Sequence, residues 1–135
     1  MKTKLFFIMF IVLMLSVVSF AQEAPEISIV DLEVCTSVDN RIPVGVDTSF
    51  MNDVERLYCF TKISSNQDEG TIIHVWKYND KEMARVELSY KAKVWRTWSY
   101  KTMMPSWTGK WRVDIESPDG TVLGSKEFEI KAPAE

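Results

Sequence analysis

Beyond Ala21 the chain shows no sustained 3.6-residue periodicity. Short apolar segments recur instead between turn signals, and that rhythm restricts it to β-structure. Seven candidate strands follow: Ile27–Cys35, Glu55–Ile63, Thr71–Tyr78, Glu82–Ser89, Ala92–Tyr100, Gly109–Glu116 and Thr121–Ile130. Ser117-Pro118-Asp119-Gly120 marks a turn, because proline presets one dihedral and glycine accepts a positive one. Seven strands in about 100 residues predict an all-β, immunoglobulin-like antiparallel β-sandwich.

Two strands have faces that parity alone separates. Ala84, Val86 and Leu88 oppose Arg85, Glu87 and Ser89; Trp111, Val113 and Ile115 oppose Arg112, Asp114 and Glu116. The apolar set of each belongs in the core, which makes Trp111 a core tryptophan. All five tryptophans fall between Trp76 and Trp111, and the strand carrying Trp95 and Trp98 has aromatics on both faces. Turn length is the available guide. A two-residue loop at Asn79-Asp80 and another at Tyr90-Lys91 give a core of Ile73, Val75, Ala84, Val86 and Trp95. A three-residue second loop buries Arg96 instead, at a cost of several kcal/mol unless it is paired.

The two-residue register has a consequence for the opposite face. His74, Arg85 and Arg96 lie side by side there, with Trp76, Met83 and Trp98 in the next row. Adjacent arginines call for an anion, which Glu87, a bound carboxylate or sulfate, or an acidic partner can supply. The residues expected to bind a ligand or partner are therefore Trp76, Arg85, Arg96 and Trp98, with His74 as a neutral hydrogen-bonding neighbour. Arginine presents a planar fork of donors to anions, and tryptophan a flat apolar surface. An acidic sugar, a peptide carboxylate or a protein partner suits that combination. The competing reading has another segment, such as Lys101–Thr108, covering the tryptophans.

The first 21 residues are expected to be a cleaved signal peptide. Lys2 and Lys4 precede an apolar run from Leu5 to Val18, and Ser19-Phe20-Ala21 offers small residues where a signal peptidase reads. A retained membrane anchor is the alternative, although the run is short for a span. Residues 22–135 then form one domain in the periplasm or outside the cell. Removing Lys2 and Lys4 from 16 basic residues leaves 14 against 19 acidic ones, a formal charge of −5. That balance gives nucleic-acid binding no electrostatic support. In an oxidising compartment Cys35 and Cys59 read as a disulfide, closing a loop of about 25 residues and contributing roughly 3.5 kcal/mol. Two buried free thiols are the other possibility.

Catalytic signals are nearly absent. His74 is the only histidine, and neither a Gly-x-Ser-x-Gly nor a His-Glu-x-x-His sequence occurs. Asp68 and Glu69 lie in a polar stretch where solvation accounts for them, and Ser64–Gly70 matches no calcium loop. No catalytic residue, metal or cofactor is expected. Three readings remain: a binding module, an enzyme, and an assembly unit that forms a homo-oligomer or docks onto an envelope structure.

His74-Val75-Trp76, Trp95-Arg96-Thr97-Trp98-Ser99 and Gly109-x-Trp111-x-Val113, followed by Gly120 and Phe128, resemble the bacterial family called domain of unknown function 2914. Cys35, Arg41-Ile42-Pro43-Val44-Gly45 and Tyr58-Cys59-Phe60 look like its earlier part, so the resemblance extends from about Val34 to Ile130. It implies an envelope protein with a compact β-rich domain, and it brings no catalytic or ligand residue to any position here.

Overall fold

A computed structural model describes residues 26–134, so the expected signal peptide lies outside the described residues. All regular structure among them is β, in ten strands. These are β1 (Ile27–Cys35), β2 (Ser37–Asp39), β3 (Ile42–Val44), β4 (Ser49–Met51), β5 (Arg56–Ser65), β6 (Gly70–Tyr78), β7 (Lys81–Tyr90), β8 (Val94–Thr102), β9 (Gly109–Glu116) and β10 (Val122–Lys131). The seven long strands are those expected. β2, β3 and β4, of three residues each, occupy a stretch that the apolar pattern leaves unassigned. No helix among the described residues is long and apolar enough to cross a membrane.

Two sheets make the sandwich, in the orders β1-β5-β8 and β4-β10-β9-β6-β7, and β2-β3 is a separate hairpin. All pairings are antiparallel except β10 with β4. Between the sheets lie Val34, Leu57, Cys59 and Ile63 from one side, and Ile72, Trp76, Trp111, Val113, Ile115, Phe128 and Ile130 from the other. Trp111 is a core residue, 2% exposed, stacked between Tyr78 at 4.8 Å and Phe128 at 6.0 Å. Segment Lys101–Thr108 does cover a tryptophan, but that tryptophan is Trp111: Trp107 lies 5.8 Å away, and its carbonyl accepts the Trp111 Nε1–H at 3.0 Å.

The turns follow their local chemistry. Asn79 and Asp80, with φ of 49° and 66°, form the two-residue loop joining β6 to β7, with Tyr78 opposite Lys81. Positive φ at both central residues gives the twist that an antiparallel pair needs, and Asn and Asp tolerate it. Asn40 and Arg41 repeat this arrangement between β2 and β3, at 51° and 62°. At Ser117–Gly120 the Gly120 N–H donates to the Ser117 carbonyl at 2.9 Å, with φ +87° at the glycine.

Two features overturn the register expected from turn lengths. Lys77 pairs with Glu82 but Trp76 pairs with Ala84, so Met83 is an extra residue on β7. This bulge moves every earlier residue of β6 across by one: Val75 faces Arg85, and His74 faces Val86. Second, β7 and β8 are not a hairpin. Tyr90 is 1% exposed and its hydroxyl lies 3.0 Å from Ser65 Oγ on β5, while the Ser65 N–H donates to the Lys93 carbonyl at 2.7 Å. The chain thus leaves one sheet at Tyr90 and enters the other at Val94, placing β8 against β5 with Ile63 opposite Trp95. Trp95 packs on the core as expected, but from the opposite sheet.

Cys35 and Cys59 are both buried and both free. Register explains why no bridge forms: Val34 pairs with Cys59 and Cys35 with Tyr58, so the two cysteines leave neighbouring strands on opposite faces. Burial raises the pKa of each thiol above the ordinary value. The expected outcome is that dithiothreitol leaves the urea midpoint unchanged, and that a thiol reagent reacts with both cysteines only after unfolding. Loss of a native disulfide would instead cost about 2–5 kcal/mol.

Candidate binding surface

His74 and Trp76, expected on an outer face, are each 0% exposed and point between the sheets. The Met83 bulge is the cause. They sit in a hydrogen-bond chain whose direction can be deduced. Thr61 Oγ1 donates its one proton to the Thr97 carbonyl at 3.0 Å, so toward His74 Nε2, 3.2 Å away, it accepts. His74 therefore carries its proton on Nε2, and Nδ1 accepts from Ser99 Oγ at 2.7 Å. Ser99 in turn accepts the Trp76 Nε1–H at 3.1 Å. Each donor has one acceptor, and a proton added at Nδ1 would face the Ser99 hydroxyl as donor against donor. Burial pushes the His74 pKa down from 6.5 to about 3, so the ring is neutral. It cannot touch a ligand in solvent.

Arg85 and Arg96, expected side by side, lie on different sheets because β8 pairs with β5. On the outer face of the five-stranded sheet Arg85 already has two carboxylates, Glu82 at 2.8 Å and Glu116 at 3.4 Å. Two strands further in, on β9, Asp114 is 3% exposed and receives Lys77 at 3.0 Å, Arg112 at 2.8 Å and Ser125 at 2.7 Å. Burial raises the Asp114 pKa, but hydrogen bonds from Ser125, Arg112 and Lys77 outweigh it and hold the carboxyl below its ordinary value. Ile73 and Val75, expected in the core, share this outer face and are still only 8% and 0% exposed. The face is thus closed by its own ion pairs.

The outer face of the three-stranded sheet is different. There β8 presents Val94, Arg96, Trp98 and Tyr100, opposite Ser64, Lys62, Phe60 and Tyr58 of β5. Trp98 is half-buried and stacks on Phe60 with centroids 6.4 Å apart, while Tyr58 and Tyr100 meet at 5.8 Å and the Arg56 guanidinium lies over the Tyr100 ring. A groove of about 490 Å³ is lined by Arg41, Lys62, Val94, Arg96 and Trp98. Arg41 arrives from the β2-β3 turn, whose Ile42 and Pro43 flank buried Phe60. Asp31 lies across from Lys62 at the far side of this face. Among the described residues, neither Arg41, Lys62 nor Arg96 has a carboxylate within 4.0 Å. Of the expected site residues, the structure therefore brings Arg96 and Trp98 together. It adds Arg41 and Lys62, whose only advance signal was the Asn40-Arg41 turn pair and the alternation along β5.

Comparison with known proteins places these strands in context. A family described as "Protein of unknown function (DUF2914)" matches residues 69–130, which contain β6 to β9 and all of β10 but its last residue. The chain resembles that family. The match excludes Cys35, the Arg41–Gly45 stretch and Tyr58-Cys59-Phe60, so the resemblance is narrower than the motifs suggested. No curated protein matches the chain. Among solved structures, similarity is found to a mutant β-glucosidase from Listeria innocua in complex with laminaribiose, at 12% identity and a TM-score of 0.45. It covers 80% of this chain and 16% of that one. The extracellular domain of a candidate one component system from B. thetaiotaomicron is similar at 14% identity and a TM-score of 0.39, over 83% of this chain and 16% of that one. The DUF2914 match carries both strands that hold Arg96, Trp98, His74 and Trp76.

Proposed function

We propose that this is an exported, non-catalytic binding module, periplasmic or extracellular, that recognises an anionic group on the outer face of the β1-β5-β8 sheet. The observation that carries this reading is the groove of Arg41, Lys62 and Arg96, three cations without ion-pair partners among the described residues, beside the half-buried ring of Trp98. Guanidinium and ammonium groups hold the charge, and the indole face holds an adjoining flat or apolar portion. Catalysis by the single histidine finds no support, since His74 is sealed inside the sandwich.

Calorimetric titration of a polyglutamate, a sulfated oligosaccharide and a neutral oligosaccharide tests the reading. At least one polyanion is expected to bind, the neutral sugar is not, and Arg96→Glu is expected to weaken binding by about tenfold or more. Failure of every polyanion to bind, or binding indifferent to charge reversal at Arg96 and Lys62, overturns it. Iodide quenching gives an independent check of the surface. Trp98→Phe is expected to remove part of the quenchable fluorescence and Trp76→Phe none of it.

A further inference from the structure

The two sheets expose four edge strands, and three of them carry a device that blocks pairing with another chain. β7 holds the Met83 bulge and alternates Lys81, Glu82, Arg85 and Glu87. β1 has a register shift at Val30, between Ile29 and Asp31, and β4 is only three residues long. β8 is the exception. It runs nine residues against β5 without a register shift, and nothing among the described residues pairs with its other side.

The direction of its backbone groups follows from two bonds that bracket the strand. Ser65 N–H donates to the Lys93 carbonyl at 2.7 Å, and Met103 N–H donates to the Glu55 carbonyl at 2.9 Å. Residues 93 and 103 therefore turn their polar groups toward β5, and so do the alternate residues Trp95, Thr97, Ser99 and Lys101. Val94, Arg96, Trp98, Tyr100 and Thr102 turn theirs to the open edge. These are the residues whose side chains stand on the outer face with Lys62. Free amides thus belong to the same positions as Arg96 and Trp98, the two groove residues that β8 itself supplies.

We propose that the occupant of this edge is an extended acidic segment of a partner protein, added as a fourth strand beside β8. The inference rests on the anion-binding reading above and names its ligand class. Charge selects the partner. From Lys91 to Thr102 the chain carries Lys91, Lys93, Arg96 and Lys101 and no acidic residue, so a second copy of β8 would bring like charges together. An acidic strand meets complementary charge instead. Main-chain bonds give such a complex its affinity, and alternate side chains give it selectivity. A carboxylate opposite Arg96 and apolar residues opposite Trp98 and Tyr100 satisfy the outer face.

The test uses the exported chain and a peptide as long as β8, Glu-Val-Thr-Val-Thr-Glu-Thr-Val-Glu, which places glutamates opposite Lys101, Arg96 and Lys93 in the antiparallel sense. Its control is the same peptide N-methylated at the residues facing Tyr100, Trp98 and Arg96. The unmodified peptide is expected to bind at least about tenfold more tightly. It is also expected to slow hydrogen exchange at the Arg96, Trp98 and Tyr100 amides. Equal binding of both peptides without amide protection overturns strand addition and leaves the anionic surface standing. Binding of polyglutamate or the sulfated sugar but of neither peptide has the same meaning. If no anion binds at all, both readings fail. If mass grows with concentration and those amides are already protected without peptide, a second copy holds the edge and the proposal is overturned.

Discussion

Between pH 6.5 and about pH 4.5 the domain is expected to lose roughly 3 kcal/mol of stability, and most of that loss is expected to vanish in His74→Gln. The unfolded chain binds a proton on His74 below its ordinary pKa of 6.5, whereas the folded chain refuses it until about pH 3. Acid therefore favours the unfolded state throughout that window, at about 1.4 kcal/mol per pH unit. Stability from this source is complete above pH 6.5 and declines as pH falls. Glutamine can donate to Thr61 Oγ1 and accept from Ser99 Oγ, so the variant keeps the bonds of the core without the titration. Urea unfolding of both proteins at several pH values checks it. Equal pH slopes for the two would show that His74 is not the group responsible.

The second large effect is expected at Asp114. Asp114→Ala strips the common partner from Lys77 and Arg112, and a broken buried pair costs about 3–5 kcal/mol. Removing Glu82 from Arg85 breaks a pair in which both side chains are nearly half exposed, and is expected to change stability by less than about 1 kcal/mol. Urea midpoints of the two variants decide between burial and mere ion-pair number as the governing quantity. Because the Asp114 carboxyl is held below its ordinary value of 3.8, its contribution is lost only as pH falls below that value. The histidine window therefore opens well before the aspartate one.

These two residues also show what a sequence can and cannot disclose about such a fold. Parity assigned Asp114 and Arg112 to one face of β9 and Trp111 to the other, because both faces of that strand follow the period of two. The Asn79-Asp80 turn was equally legible, since few residue pairs accept positive φ in succession. His74 and Trp76 were misplaced because one extra residue, Met83, inverts the parity of β6 relative to the turn, and nothing in Glu82-Met83-Ala84 announces a bulge. The crossing from β7 to β8 was hidden for a related reason. Lys91–Lys93 is as short as a hairpin loop, and only the burial of Tyr90 against Ser65 diverts the chain to the other sheet. Cys35 and Cys59 could not be assigned to faces, because no turn links β1 directly to β5. Arg96 and Trp98 kept their outward position, although the neighbours predicted for them were wrong.

The β7-to-β8 crossing also governs how quickly this molecule can assemble. The β6-β7 pair closes through a two-residue turn and needs little search, whereas β1, β5 and β8 must find one another across long intervening stretches. Loop closure of that kind makes the three-stranded sheet the slow partner in folding, and leaves β8 solvated until late. A strand bearing Trp95, Trp98 and Tyr100 would be an aggregation hazard during that interval, were its flanks not basic. The lysines and Arg96 keep unfinished copies apart while the chain waits for its own second sheet.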